Sequence, residues 1–381
     1  MATLLKRNLK VYFKNISNIF FSLIGVLVIF VLFVLFIGNR ITSEVGKYKP
    51  EGVSLDGAMA YWMVAGMLAS SAITTSLGAY SIMVADKENK LLKDIYVSPV
   101  KKSAMVACYM ITGMIVSLII AIITLIFGEI YALAKGGKAV SAIPALKVLG
   151  VILLSSFASN ALMCFIVSFI KSNSIFTIIS IIIGTLIGFL VGAYVNIGVL
   201  PSAVQWIIKL FPNAHAAALF RQFLMEDSIK SIRDSYDGNI NFSEAIKNIN
   251  ENTAYAADSI KSLQGYLDKL IEYSKTVDIA DATRTDFITK LSEYKGQLAN
   301  PAIYIETFRN EIINYLTEQK AIFTKVEMDV WINSFNIQLG NVYEYNKTQA
   351  PIYAHVLVLV FTGVIFYGLS IFSLSRKPKK M

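Results

Sequence analysis

Few ionisable side chains within the apolar runs of this sequence could do chemistry. Glu129 is a carboxylate near the apolar body of a predicted membrane span, and an acid at that depth is a functional candidate. It falls at the outer end of its run, so the sequence favours solvation among the headgroups. Cys108 and Cys164 both lie in apolar runs, and His215 and His355 lie far apart along the chain. We therefore expect no disulfide framework, no metal site and no catalytic residue.

The sequence also lacks a phosphate-binding loop of the GxxxxGK[ST] type. Its nearest approach, Gly136-Gly137-Lys138, lacks the first glycine at the required spacing and is followed by Ala139. No HExxH, GxSxG or paired-carboxylate pattern stands out. We expect the chain to bind no cofactor directly and not to be an enzyme.

A charged stretch, Asp86 to Ala104, separates two long apolar runs. Its lysines alternate with acidic residues, while Leu91, Leu92 and other apolar residues form one edge. The residue before a proline is disfavoured in a helix, so Pro99 marks a stop. The pattern predicts a short amphipathic helix at about 87–97 lying against a membrane face, and an ordinary basic loop is the alternative.

The composition is that of a multi-span membrane protein. Hydrophobic residues make up 55% of the 381 residues and charged residues only 16%, and the mean hydropathy is +0.58. Residues 1–15 read as an amphipathic interfacial helix, and the first apolar run as a retained span and not a signal peptide. The predicted spans are 16–37, 59–84, 105–132, 146–170, 175–195 and 351–374.

Small and polar residues mark three of the spans. The second span holds Ser71 and Thr75, which predict either tight helix packing or a face lining a substrate path. Asn160, in the fourth span, predicts a hydrogen bond between helices, with a role in the path as the alternative. Gly184, Gly188 and Gly192 form a repeated GxxxG pattern in the fifth span, which predicts a close-packing face.

Two further segments complete the predicted architecture. Pro201 and Pro212 break residues 200–225 into short helices that are re-entrant or interfacial. Residues 226–350 are polar and predict a helical insertion. Apolar residues there keep a three-four spacing, the pattern of a coiled-coil seam, at Ile246, Ile249, Thr253, Ala256, Ile260, Leu263, Leu267 and Leu270. We expect a small three-helix bundle whose first helix has about 34 residues, roughly 50 Å at 1.5 Å per residue.

Charge predicts the orientation. Residues 226–350 carry a net charge of −6 and the rest of the chain +15. Both termini, the 86–104 stretch and the Lys171 turn are basic and fall on one side of six spans. We expect this side to be cytoplasmic in a cell membrane and residues 226–350 to be extracellular. Because basic residues flank membrane runs and form no single patch, nucleic-acid binding is not expected.

The order of four features resembles the type-2 ABC export permeases. These are the interfacial first helix, the six spans, the charged stretch with Leu91-Leu92 and Ser98-Pro99-Val100, and broken outer helices bearing Pro212 and Arg221. The resemblance covers 1–225 and 351–381. It implies an all-α polytopic protein with three parts, a membrane part over 1–225, the insertion over 226–350, and the sixth span with its basic tail over 351–381.

The resemblance also implies partners and site residues. In that family the charged loop docks on a separate ATP-binding cassette subunit, which supplies ATP and Mg, and a second permease subunit completes a homo- or heterodimer. Docking would involve Glu88, Lys90, Leu91, Leu92, Tyr96 and Pro99. The second and fifth spans would line the path, which places Ser71, Thr75 and the face from Gly184 to Gly192 beside it.

The expected function is outward export of an amphipathic substrate such as a lipid, drug or peptide. The alternative is a membrane-anchored surface receptor or scaffold, whose outer helical domain would bind a peptide, phage or cell-wall ligand. A membrane enzyme acting on lipid-linked substrates is a third reading, but the sequence offers no acid/base pair for it.

Overall fold

The protein is described by a computed structural model over residues 2–46, 54–92, 101–235, 257–277, 281–298, 306–345 and 348–375. Six of its helices are long and apolar enough to cross a membrane, which agrees with the predicted six-span, all-α architecture. Contacts divide the chain into a membrane body and a second compact unit, Lys230–Phe335.

The body begins with α1, Ala2–Lys14, and α2, Ile16–Leu32. A π-helical segment, Phe33–Ile37, joins α2 to α3, Gly38–Gly46. The following helices are α4, Asp56–Glu88; α5, Lys102–Ala134; α6, Ala142–Ser168; and α7, Asn173–Leu190.

Helix α4 is the centre of the body. It packs against α2, α5, α6 and α7, and most of its residues are buried. Small residues allow this close approach, because a Cβ on Gly66 would lie 2.9 Å from that of Ala193. With 33 residues, α4 is about 50 Å long, which exceeds a bilayer core of roughly 30 Å.

The first span is longer than the sequence predicts. We expected a polar outer loop from Arg40 to Asp56, but the helix continues to Gly46. Ile41 is buried, so apolar packing extends the helix past the first polar residues. Residues 47–53 of the expected loop lie outside the described chain.

The fifth span ends earlier than predicted, at Leu190 instead of 195. Gly192 lies in the turn beyond the helix with φ of +67°, a backbone conformation that glycine adopts without strain. A Cβ on Gly188 would clash with the Tyr194 ring, whereas nothing lies within 4 Å of one on Gly184. The three glycines therefore do not form one packing face within the subunit.

The broken region after α7 has the predicted short helices. A 3-10 turn at Ile197–Val199 precedes α8, Ser202–Lys209, and α9, Pro212–Leu224. Pro212 is at the start of α9, where a missing N–H costs nothing. Helix α9 packs on α4, α6 and the last span. Helix α9 is buried on nearly every residue, so the protein covers its backbone. Helix α8 is mostly exposed, with Trp206 at 51% and Ile207 at 61%.

The second unit is helical, as predicted. Helix α10, Glu226–Ser235, leads into it. It contains α11, Ala257–Thr276, α12, Asp281–Gln297, and most of α13, Glu306–Gln338. Leu267 and Leu270 of the predicted seam are buried in one core with Phe287, Leu291 and Ile312, which confirms a three-helix bundle.

Other details of the seam prediction differ. Helix α11 has 20 described residues instead of about 34, and Ile246, Ile249, Thr253 and Ala256 lie outside the described chain. The sequence also predicts that the apolar pattern repeats after Pro301, at Ile305, Phe308, Ile312, Tyr315, Ile322 and Val326, but Ile322 of α13 is 40% exposed. Apolar periodicity therefore located the core of the bundle but overextended it.

Truncation of Leu291 tests this core. Leu291 is fully buried, so Leu291→Ala is expected to lower the free energy of unfolding of the second unit by about 2–5 kcal/mol. Thr289→Ala, at an exposed position of α12, is expected to change it by less than about 0.5 kcal/mol. The two values would be measured by urea unfolding of the purified full chain, and equal values would contradict the described core.

The chain returns to the body through a short β-hairpin that the sequence did not predict. Strands β1, Glu344–Tyr345, and β2, Thr348–Gln349, pair antiparallel. The last span is α14, Ile352–Ser375, which packs mainly on α6.

Candidate functional site

The last turn of α4 joins four other helices through three consecutive charged residues, Asp86, Lys87 and Glu88. We call these residues the α4 hub. They are the first residues of the charged stretch predicted to dock a partner. Their contacts determine which helices must respond when that end of α4 is displaced.

Asp86 connects α4 to α1 and α5. Its carboxylate accepts bonds from Arg7 Nη1 at 2.5 Å and Nη2 at 2.6 Å, and from the Tyr109 hydroxyl at 2.6 Å. Asp86 is only 2% exposed. Its buried charge is stabilised by the bidentate, charge-assisted pair with Arg7 and by the Tyr109 hydroxyl. The hydrogen bond with Asp86 raises the pKa of Arg7 above its ordinary value.

Lys87 connects α4 to the end of α6. Its ammonium donates to the carbonyl oxygens of Val167, Ser168 and Ile170 at 2.7, 2.9 and 3.2 Å. Carbonyls at the end of a helix have no partner within the helix and carry partial negative charge. Lys87 thus caps α6.

Glu88 connects α4 to the start of α7. Its carboxylate accepts from the Asn173 side-chain amide and, at 3.5 Å, from the Asn173 backbone N–H. A carboxylate at a helix N-terminus is stabilised by the unpaired N–H groups there. The α4 hub therefore ties α1, α5, α6 and α7 to one helix end.

The residues predicted to dock a partner begin at Glu88, the last residue of the hub, and continue beyond it. The helix expected at 87–97 is interrupted, because α4 runs through Glu88 and a turn follows at Asn89-Lys90 with Lys90 at φ of +63°. Asn competes for backbone hydrogen bonds and favours such helix ends. Leu91 is 42% exposed and Leu92 is buried. Tyr96 and Pro99 lie outside the described residues.

Of the residues predicted to line a path, Ser71, Thr75 and Asn160 are buried within the subunit, whereas Gly184 is partly exposed. Ser71 donates to the Leu68 carbonyl of its own helix, and Thr75 is fully buried. Asn160 donates to Ser117 of α5 at 3.3 Å and to the Ser156 carbonyl, which confirms the predicted bond between helices. The bonds of Ser71 and Asn160 lie within one subunit, and a role of these residues in a path stays a prediction.

A second polar network surrounds the fully buried Arg221 of α9. Its Nη2 donates to the carbonyls of Val191 and Gly192 at the end of α7, both at 2.8 Å, and Nη1 to that of Gly340 at 3.4 Å. The guanidinium lies 4.9 Å from the Trp62 ring centroid. Burial lowers the pKa of Arg221 to about 10, so the group is charged at neutral pH.

Two histidines far apart in sequence are neighbours in the body. The Nδ1 atoms of His215 and His355 are 2.8 Å apart, and His215 Nε2 lies 2.8 Å from the Lys209 carbonyl. Burial lowers the pKa of His215. Sequence separation was therefore a poor guide to their distance, although no group of three metal-ligating side chains occurs among the described residues.

Sequence reasoning placed Asp86 and Lys87 in the charged stretch but gave them no role. A charge at the end of an apolar run needs a partner inside the protein, and this rule could have singled out Asp86. The partner Arg7 lies 79 positions away, and nothing in the sequence indicates that pairing.

The fold and the hub together define a polytopic helical membrane protein with a charged, tightly tied helix end on one face. A family model, the ABC-2 type transporter, matches residues 1–225. The chain belongs to this family, the permeases of type-2 ABC transporters, and is a membrane transporter subunit of an ABC system. Family membership implies association with an ABC ATP-binding subunit. No curated protein and no solved structure matches the chain.

Proposed function

We propose that this chain is the permease subunit of an ATP-driven exporter and that the α4 hub transmits the movement of an ATP-binding partner to the spans. The observation that carries the proposal is the position of the hub, directly before the exposed Leu91 and the 93–104 stretch. A push on that stretch acts on α4, and α1, α5, α6 and α7 are bonded to the same turn.

In this proposal the partner subunit binds ATP and Mg and does the hydrolysis. The chain's own residues transmit force. Glu88 and Lys90 lie at the turn that joins α4 to the docking stretch. Leu91, with Tyr96 and Pro99, is proposed to form the docking surface, and the buried Leu92 to support it from beneath. Packed helices switch between discrete arrangements more readily than they deform, so a rigid α4 suits this role.

Two permease subunits, identical or related, complete the transporter. Ser71, Thr75, Asn160 and the Gly184–Gly192 region are proposed to come beside the path in the assembled dimer. Because Ser71, Thr75 and Asn160 are buried in one subunit, helices must rearrange before these three residues can reach the path. The hub side faces the cytoplasm with both termini, and the second unit faces outward, as the distribution of basic residues favours. The substrate class is amphipathic, because hydroxyl groups are interspersed in otherwise apolar spans.

The test is Leu91→Asp, a change at a 42% exposed position. A carboxylate buried in an apolar contact is expected to cost at least about 1.4 kcal/mol, so we expect about a tenfold loss of co-purifying ATP-binding subunit and of ATP-driven export. The matched control is Ile322→Asp, the same chemical change at a 40% exposed position in the second unit. Unchanged partner recovery and export in Leu91→Asp would refute the docking role.

The second candidate function is a surface receptor or scaffold. The observation that favours it is a second unit with its own apolar core around Leu267, Phe287 and Leu291. This function predicts a normally folded protein from which no ATP-binding subunit is recovered under any mild detergent condition, together with ligand binding that Leu291→Ala abolishes.

A further inference from the structure

An apolar cleft opens on the body where α5, α6 and the end of α9 meet. Its volume is about 340 Å³, at the lower end of the range for small-molecule sites. The lining includes Leu125, Ile126 and Ile130 of α5 and Ala145 and Val148 of α6. Ile126 and Ile130 are 57% and 64% exposed, so the cleft opens where the lipid would lie.

The cleft is remote from the α4 hub. Tyr109, which contacts Asp86, and Glu129, which lines the cleft, are 20 residues apart on the continuous helix α5. At 1.5 Å per residue this separation is about 30 Å, the thickness of a bilayer core. The cleft therefore lies near the membrane face opposite the hub, and it is distinct from the docking surface.

Glu129 is the polar member of the lining. It is half-buried, and its Oε1 accepts the backbone N–H of Val140 at 3.0 Å. The Tyr61 hydroxyl also interacts with this carboxylate. A carboxylate offers about four acceptor positions, so these two donors leave capacity for another. Among the described residues Glu129 forms no ion pair, so its negative charge lies at an apolar cleft without a cationic partner there.

Charges of both signs lie around the loop beside the cleft, with Lys135 and Lys138 in the loop itself and carboxylates of α10 next to it. Asp227 accepts from the backbone N–H of Ser141 at 2.7 Å and from its hydroxyl at 3.2 Å. Glu226 is paired with Lys147 at 3.0 Å. After that pairing, Glu129 and Asp227 remain as two carboxylates held by neutral donors near the same loop.

We propose that this cleft binds an amphiphile with one apolar chain and an ammonium headgroup, which enters from the bilayer. The chain would occupy the space between α5 and α6, and the ammonium would donate to Glu129. An ammonium beside a carboxylate in an apolar environment gains charge-assisted hydrogen bonds. An anionic headgroup at the same place would face the Glu129 carboxylate and be repelled.

Binding would be measured on the intact protein in phosphatidylcholine nanodiscs with radiolabelled dodecylammonium, and with dodecyl sulfate as the probe of matched chain length. We expect saturable binding of dodecylammonium and at least a tenfold weaker affinity for dodecyl sulfate. Because ATP and the partner subunit are absent from the assay, the result does not depend on the proposed export function.

Glu129→Gln separates ligand binding from support of the loop. Gln keeps an oxygen for the Val140 N–H and removes the charge, so we expect an unchanged unfolding temperature and roughly a tenfold loss of dodecylammonium affinity. Ala145→Trp should fill the cleft and abolish saturable binding. Its control is Leu146→Trp at a 71% exposed neighbouring position, which should bind as the unaltered protein does.

Three outcomes would overturn the proposal. They are an absence of saturable binding, equal binding of dodecylammonium and dodecyl sulfate, and unaltered affinity in Glu129→Gln. The last result would mean that Glu129 only clamps the loop at Val140.

Discussion

Asp86→Ala is expected to destabilise the membrane body and to uncouple it from an ATP-binding partner. The substitution removes the carboxylate that accepts hydrogen bonds from both terminal nitrogens of Arg7 and from the Tyr109 hydroxyl. Breaking a buried pair costs about 3–5 kcal/mol. Since the Arg7 side chain is 37% exposed and partly solvated, we expect the free energy of unfolding to fall by an amount at the lower end of this range, about 3 kcal/mol. The measurement is thermal unfolding of the detergent-purified protein.

Asp268→Ala is the matched control for this experiment. Asp268 pairs with Lys295 at 2.5 Å, but both side chains are well exposed, at 55% and 40%. An exposed pair contributes about 0–1 kcal/mol, so the control should unfold almost as the unaltered protein does. Equal unfolding temperatures for Asp86→Ala and Asp268→Ala would show that the hub does not hold α1 and α5 to α4.

Arg221→Met is expected to have the other large effect. It removes the donors for the last carbonyls of α7, at Val191 and Gly192, and the cation over the Trp62 ring. A buried carbonyl left without a donor costs about 1–3 kcal/mol. Removing the guanidinium also removes the desolvation penalty of a buried charge, which offsets part of this cost. We therefore expect the free energy of unfolding to fall by about 3 kcal/mol.

Arg221→Lys and Arg233→Met complete the comparison. Lysine presents a point charge and cannot reproduce the planar fork, so Arg221→Lys should recover only part of the stability. Arg233 is 47% exposed and pairs with the exposed Asp329, so Arg233→Met should cost less than about 1 kcal/mol. A thermal unfolding profile of Arg221→Met that matches that of Arg233→Met would contradict the described network.

Much of the fold follows from local patterns in the sequence. Apolar runs of about 20 residues predict the spans, because length and hydropathy alone decide whether a helix can cross a bilayer. The spacing of Leu263, Leu267 and Leu270 likewise predicted the core of the three-helix bundle. Helix ends were less predictable, because packing of Ile41 extends one helix and the turn at Gly192 shortens another.

The candidate site depends on contacts that no local pattern encodes. Arg7 and Asp86 are 79 positions apart, and His215 and His355 are 140 apart. Each pair depends on how whole helices pack. The sequence could mark the 86–104 stretch as important through its charges and its proline, but only the packed structure shows that its first residues tie four helices together.

Site-directed photo-crosslinking from Leu91 tests the central claim most directly. Cys108 and Cys164 are both fully buried, so Leu91→Cys introduces an exposed thiol that a benzophenone maleimide can label selectively. Labelled membranes would be irradiated, and the adducts identified by mass spectrometry. Ile322→Cys, at a similarly exposed position in the second unit, is the control.

The account predicts one dominant adduct from Leu91→Cys, with a protein that carries an ATP-binding cassette, and no such adduct from Ile322→Cys. A folded, labelled Leu91→Cys protein that yields no adduct with an ATP-binding cassette protein would contradict it.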